Sequence, residues 1–279
     1  MSKNFTLAYN GKILSLSTPK IMGVINLNND SFYFGSRIQS ETAFIEKAEK
    51  MLLDGAAILD IGVASSRPGA EIIDKSLEAD LISRYLPILR KAFNDSWISV
   101  DTYHSQTASL AIDLGADIIN DISGGHIDKN MLEIINRNKC PYIAMHMRGT
   151  PNDMQSLVNY EDIMIELLEY FNKIIAQVSP IVKSNLMIDP GIGFAKTLDQ
   201  NYQILNNLSI LKILNQPILI GISRKSLIYK YLEISIEDSL NGTTVLNTIA
   251  LLKGANILRV HDVKEAHQVI SLCNKVENS

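Results

Sequence analysis

Polar and ionisable side chains recur along this chain at one kind of place, the end of a short apolar run: Asn26, Asp60, Asp101, Asn120 with Asp121, His146, Asp189, Ser223 with Arg224 and Lys225, and Arg259 with His261. Two chemistries are legible in them. Asp60, Asp101, Asn120 and Asp189 supply acceptors and one amide, a set that matches a flat heterocycle presenting an amine and a ring N–H. The second set is cationic: Arg67, Arg224, Lys225, Arg259 and His261 together suit a phosphate or diphosphate. The stretch LMIDPGIGFAKT (186–197) leaves Asp189 two readings, a turn former with Pro190 and Gly191 or a ligand group awaiting its partner.

Blander readings apply to the others. SRKS (223–226) can open a helix with Ser223 as its cap, although cations in a first turn oppose the helix dipole and so favour an anion there. His146 reads as a satisfied core histidine and is assigned no role. Gly191 and Gly193 lack both the Walker lysine spacing and the dinucleotide fingerprint. No His/Cys/Asp cluster has zinc spacing, and no nucleophilic triad is legible.

The elements that must position these groups are short β-branched or aliphatic runs alternating with longer stretches of helical period. Eight runs qualify: IMGVIN (21–26), AAILDIG (56–62), WISVD (97–101), ADIIND (116–121), YIAMHM (142–147), LMID (186–189), PILIGIS (217–223) and NILRVH (256–261). Amphipathic segments such as ETAFIEKAEKMLLDG and YEDIMIELLEYFNKIIAQV are long enough to cross back over a sheet. Eight βα units in about 250 residues predict an α/β fold of the TIM (β/α)8 type, whose strand ends converge on one rim. That convergence favours the ligand reading of Asp189. A doubly wound open sheet is the alternative, gathering its strand ends at a switch point.

Composition narrows the function classes. The chain has 279 residues, 46% hydrophobic and 20% charged, with a formal net charge of -4 and a pI near 5.8. Nothing in that balance points to nucleic acid or an anionic membrane, so phosphate binding must come from local clustering of cations. Cys140 and Cys273 lack metal-ligand spacing and read as packing residues in a reducing compartment. The N-terminal MSKNFTLAYNGKILSLS lacks the apolar core of a signal peptide and predicts a β-hairpin over about 5–16, turning at Asn10-Gly11. No run approaches the ~18 apolar residues of a membrane span. A soluble, cytoplasmic protein of one domain over 1–279 is expected, with the barrel over about 20–275.

Taken in order, IMGVIN...DSF, LDIG..SSRPGA, SVDTYHSQTA, GADIINDISGG, MHMRGTP..MQ, IDPGIGFAKT, GISRKS and RVHDVKEA resemble the motif series of the bacterial dihydropteroate synthases, from about residue 20 to about residue 270. The resemblance implies a TIM barrel that joins 4-aminobenzoate to 6-hydroxymethyl-7,8-dihydropterin diphosphate, giving dihydropteroate for folate synthesis and releasing diphosphate. By motif position it implies that Asp101, Asn120, Asp189 and Lys225 hold the pterin, beside Asp60. Asn26 would bind Mg2+ at the diphosphate, which Arg259 and His261, with Val260 between them, would anchor. Ser66 and Arg67 would belong to a covering loop, with Arg67, Asp101, Asp189 and Lys225 as the catalytic set. Phe32, Pro68, Phe194, Ser223, Arg224 and Ser226 would form the aminobenzoate side, Ser226 lying near a helix N-terminus suited to a carboxylate. The implied mechanism is dissociative, and the implied assembly a homodimer sensitive to sulfonamides.

Two loops depart from the pattern. Where the family has Asn-Val-Thr-Pro-Asp-Ser-Phe, this chain reads Asn26, Leu27, Asn28, Asn29, Asp30, Ser31, Phe32, with Phe34 at a further acidic position. The family's Gly-Glu-Ser-Thr-Arg-Pro has become Val63, Ala64, Ser65, Ser66, Arg67, Pro68. Loss of proline at position 29 is expected to loosen the first loop and weaken aminobenzoate binding. Two alternatives stay open: a pterin-binding paralogue without transfer, and a methyltetrahydrofolate-type methyltransferase. The latter has no need of SRKS and RVHD as diphosphate contacts.

Overall fold

Asn10 and Gly11 both adopt positive φ, 47° and 77°, the conformation a two-residue hairpin loop requires. They join β1 (Thr6–Tyr9) to β2 (Lys12–Ser15) in the expected antiparallel hairpin. The structure, a computed structural model, describes residues 5–27, 37–63 and 74–279.

Eight strands follow: β3 (Lys20–Asn26), β4 (Ile58–Gly62), β5 (Trp97–Asp101), β6 (Ile118–Asp121), β7 (Tyr142–Met145), β8 (Leu186–Asp189), β9 (Leu219–Ile220) and β10 (Ile257–Val260). Each pairs in parallel with its neighbour in sequence, and β10 returns to pair with β3. One parallel bridge, Ile188 to Ile218, joins β8 to β9 and completes the ring. This is the (β/α)8 barrel expected above, not an open doubly wound sheet. The helices around it are α1 (Arg37–Leu53), α2 (Lys75–Ala92), α3 (Ser105–Asp113), α4 (Met131–Asn138), α5 (Ile163–Gln177), α6 (Pro180–Lys183), α7 (Leu198–Asn206), α8 (Ser226–Leu232), α9 (Leu240–Leu252) and α10 (Val263–Glu277).

Two strands, β5 and β8, have the expected bounds, whereas β9 is far shorter than PILIGIS. Pro217 has no N–H to give a ladder; it contributes its carbonyl, which accepts from Ile188 N–H at 2.9 Å.

Alternation along the strands sorts the barrel into layers. Met22, Ile58, Trp97, Ile118, Ile143, Met187, Leu219 and Ile257, one from each strand, form an apolar floor that packs on Leu7 and Leu16 of the hairpin segment. Residues of the opposite parity, such as Ile61, Val100, Ile188 and Val260, face the helices in a separate core. The hairpin is pinned beneath the floor: Ala8 N–H donates to Asn185 Oδ1 at 2.8 Å, and Lys12 Nζ reaches Asp117 at 3.1 Å. Asp117 also accepts from Arg90 and from Ile98 N–H.

Both cysteines are free, and Cys140 is buried as expected of a packing residue. No helix among the described residues is long and apolar enough to cross a membrane.

Candidate active site

Two residues further along than the floor, the inward positions of five strands turn polar. Asp60, Ser99, Asn120, Asp189 and Arg259 occupy this layer, with Asp101 one step above, and the four acceptors Asp60, Asp101, Asn120 and Asp189 are all buried. The acceptors predicted from the sequence are therefore brought together inside one well. Arg259 stands among them: Nε donates to Asp60 Oδ2 at 2.7 Å and Nη2 to Asp101 Oδ2 at 2.6 Å. Asn120 Nδ2 reaches the same Asp60 oxygen at 3.3 Å.

The layer is rich in acceptors and short of donors. Burial pushes the Asp101 carboxyl up to about 7, with Arg259 pulling it back and Asp60 pushing it further. Burial likewise raises Asp189, against the pull of Lys225 and the Gly191 N–H. For Arg259 burial acts downward, but Asp60 and Asp101 outweigh it and hold the guanidinium above its usual range. Loss of water around the Lys225 amine pushes it down to about 8, against the pull of Asp189. Among the described residues, three buried side-chain polar atoms have no hydrogen-bond partner, and two of them, Asp60 Oδ1 and Ser99 Oγ, lie here on paired strands. Each costs about 1–3 kcal/mol while unsatisfied, a cost retained where a polar ligand is to be held.

Asp189 makes the turn contact weighed from the sequence and still has an oxygen to offer. Its Oδ1 accepts from Gly191 N–H at 2.7 Å, the bond of a turn. Its Oδ2 makes no hydrogen bond among the described residues. Beside it Met145, Met147, Tyr103, Ile122 and Phe194 form an apolar collar suited to the faces of a flat ring. Lys225 Nζ donates to the Ile192 carbonyl at 2.6 Å and stands 4.8 Å from the centre of the Phe194 ring.

Several expected site residues are placed differently. Arg224 is clamped to Asp262 by two bonds of 2.9 Å and to the Glu237 carbonyl at 3.0 Å, so its guanidinium is engaged in joining two βα loops. Ser223 does not cap α8; Lys225 holds that position, and Ser223 Oγ accepts from His261 N–H at 3.2 Å and meets its Nδ1 at 3.1 Å. Val260 has the parity of the outer core and is buried there, so its side chain lies outside the well. Ser226 is the first residue of α8. Asn26 ends β3 with no side-chain hydrogen bond among the described residues, and His261 is exposed at the lip of β10. Phe32, Ser66, Arg67 and Pro68, with the departures at Asn28, Asn29, Phe34 and Ala64, lie outside the described residues.

The sequence reading missed two groups. Ser99 could have been found by parity, since it stands between Trp97 and Asp101 on one face of β5. Lys196, 4% exposed, carried no signal.

No group of three or more His, Cys, Asp or Glu side chains among the described residues could enclose a metal ion. A magnesium ion shared with a diphosphate needs no such cage, since it takes one or two protein oxygens and fills its octahedron with phosphate oxygens and water. The uncommitted amide oxygen of Asn26 fits that lesser demand.

Comparison with known proteins agrees with this geometry. Residues 22–261 match the family described as pterin binding enzyme. The dihydropteroate synthase of Escherichia coli is 38% identical over 259 residues, covering 91% of this chain and 90% of that protein. That of a Synechocystis strain is 37% identical, covering 91% and 89%. Among solved structures, Yersinia pestis dihydropteroate synthase in complex with a sulfonamide drug superposes with a TM-score of 0.90 at 34% identity, covering 98% of this chain and 99% of that one. The Xanthomonas albilineans enzyme with 4-aminobenzoic acid gives 0.87 at 28% identity, covering 99% and 100%.

Proposed function

We propose, from the premise that this chain belongs to the pterin-binding enzymes and among them to the dihydropteroate synthases, that it condenses 6-hydroxymethyl-7,8-dihydropterin diphosphate with 4-aminobenzoate to give 7,8-dihydropteroate and diphosphate. One observation carries the reading: a closed barrel with an apolar floor and, directly above it, a buried layer of acceptors in which Asp60 Oδ1 and Ser99 Oγ lack partners.

In this reading Asp101, Asn120 and Asp189 accept the amine and ring N–H groups of the pterin, and the Met145 and Met147 side chains cover its face. The C–O bond to diphosphate breaks with its electron pair leaving on oxygen. The lone pair of the arylamine then forms the C–N bond at the methylene carbon, and the nitrogen loses a proton to water or to the departed diphosphate. The neighbouring carboxylates favour the transient pterin cation, while Arg259 and Lys225 favour the leaving charge. An arylamine attacks as a neutral nucleophile, so no strong base is required. Asn26 would hold a magnesium ion, which when bound would supply charge neutralisation for the leaving diphosphate. Phe194 and Ser226, with Phe32, Pro68, Ser66 and Arg67 from the two preceding loops, make the aminobenzoate side, where a sulfonamide competes.

The whole chain acts as one domain, in the cytoplasm, as a homodimer. Support for the dimer comes from α9 and α10: Leu252, Leu272 and Val276 are each more than half exposed, and Val245 nearly so. A soluble domain gains from covering such a patch. Sedimentation of Leu272→Glu beside the parent chain tests it, a monomer being expected.

Diphosphate release from the dihydropterin substrate, with Mg2+ and with or without 4-aminobenzoate, tests the activity. Aminobenzoate-dependent release with dihydropteroate as product is expected. Tight substrate binding without that dependence would leave a pterin-binding paralogue in its place.

A further inference from the structure

The loop from β8 to α7 is bent unusually often. Gly191, Gly193 and Ala195 take φ of 71°, 87° and 48°, and the last is a conformation that a residue with a Cβ rarely adopts. Such a path must be held by its surroundings. From the outer side Tyr160 Oη donates to the Ala195 carbonyl at 2.9 Å, and Gly193 N–H donates to Asn201 Oδ1 at 2.6 Å. From within, beside the bonds of Gly191 to Asp189 and of Lys225 to the Ile192 carbonyl, the loop is held by Lys196. Its Nζ donates to the Phe194 carbonyl at 2.8 Å and to the His146 carbonyl at 3.3 Å, and meets His146 Nδ1 at 3.0 Å. One side chain thus ties the end of β7 to the middle of the loop after β8.

A lysine is an expensive way to do this if cohesion is all that is gained. Its amine is closed from solvent and surrounded by neutral acceptors, and an uncompensated buried cation is strongly disfavoured. Burial pushes the Lys196 amine far below its ordinary range, with Asp189 pulling it back and Lys225 and Arg148 adding to the depression. Burial also pushes down the His146 imidazole, helped by Lys196, Arg148 and His126. The clamp holds in either protonation state: an ammonium donates to all three acceptors, and a neutral amine donates to two and accepts from Nδ1–H. What the clamp holds is visible on the inner side of the same loop, where the Ile192 carbonyl receives Lys225 and the Phe194 ring lies beside it.

We propose that Lys196 is a positioning residue for the aminobenzoate half of the reaction: by tying the Phe194 carbonyl to that of His146 it fixes the loop shape that sets the Phe194 ring beside Lys225. The proposal rests on the reading of Phe194 as part of the aminobenzoate side. Asp60, Asp101 and Asn120 stand on strands away from the loop, and Asp189, fixed on β8, feels Lys196 through charge alone, so loss of the clamp is expected to weigh far more on the aminobenzoate than on the pterin.

The test uses the full chain and three variants, Lys196→Met, Lys196→Gln and Phe194→Ala. It measures the aminobenzoate KM by steady-state kinetics, dihydropterin diphosphate affinity by calorimetry, and unfolding in urea. Lys196→Met is expected to raise the aminobenzoate KM about tenfold, since small misplacements are costly to a positioned reactant, while dihydropterin affinity stays within about threefold. Lys196→Gln, shorter but still a donor, is expected to fall between. An unchanged KM in Lys196→Met, or equal loss for both substrates, overturns the proposal; if that variant does not fold, Lys196→Gln is judged by the same two constants. A raised KM in Phe194→Ala beside an unchanged one in Lys196→Met overturns the role of Lys196 alone. An unchanged KM in Phe194→Ala overturns the Phe194 reading and this inference with it.

Discussion

The two ends of the barrel use the same ingredients to opposite ends. Beneath the floor Asp117 accepts from Arg90, Lys12 and the Ile98 N–H, and Arg90 goes on to bond the carbonyls of Gly115, Asn94 and Ser96. Above the floor Arg259 faces Asp60, Asp101 and, by charge, Asp189, yet Asp60 Oδ1 and Ser99 Oγ stay without partners. The lower cluster is finished by the chain itself. The upper one is left incomplete, with the Asp101 and Asp189 carboxyls raised by burial, which supports the proposal that it takes its last donors from a ligand.

Substitutions that exchange the behaviour of the two ends would break this contrast. Asp189→Ala should cost dihydropterin binding about 4 kcal/mol, roughly a thousandfold, with urea unfolding showing that the barrel still folds. Retained affinity would return Asp189 to the role of turn former alone. Asp117→Ala should reverse the pattern, lowering unfolding stability by about 3 kcal/mol because two cations and an N–H lose their acceptor, while kcat/KM for either substrate stays put. A change in KM there would mean that the floor and the rim are coupled.

Asp101 sharpens the comparison through pH. Its folded carboxyl holds a proton up to about 7 against an ordinary 3.8. Between those values the folded protein keeps a proton that the unfolded chain has lost. Its contribution to stability is therefore complete below the lower value and gone above the upper one. Binding should run the other way if the ionised form accepts from the pterin as proposed; affinity should then climb with pH, by up to about tenfold per pH unit below about 7, and calorimetry across pH should find the climb absent in Asp101→Asn. The smallest effect is expected at the edge of the floor. Lys12 is partly exposed, so Lys12→Ala should cost about 0.7 kcal/mol, and a urea midpoint shifted as far as that of Asp117→Ala would show the hairpin to matter more than its contacts imply.

How much of this could be read beforehand followed from how local its causes are. The hairpin turns on two adjacent residues, and β5 and β8 are bounded by their own apolar runs, so these were legible. The inward acceptors followed from strand ends meeting on one rim. The contacts of Ser223, Arg224 and Val260 were not legible because their partners, His261, Asp262 and the outer core, lie elsewhere in the chain or depend on parity within β10. Parity would have corrected Val260 and supplied Ser99. Nothing local distinguishes Lys196 from a solvated lysine, since its three contacts come from a strand end and a turn that meet only after folding.

The eight-residue floor, with the hairpin packed beneath it, makes the barrel a blind well with one mouth. Groups on the strands, Asp60, Asp101, Asn120 and Asp189, lie deeper than Phe194 and Ser226, which sit beyond the strand ends. On the proposed function, traffic through a single mouth would require the pterin to enter before the aminobenzoate, and an initial-velocity study with dead-end inhibitors should show ordered addition. Such an order would be inherited from the apolar floor, with the hairpin packed beneath it, and not from any residue placed at the site.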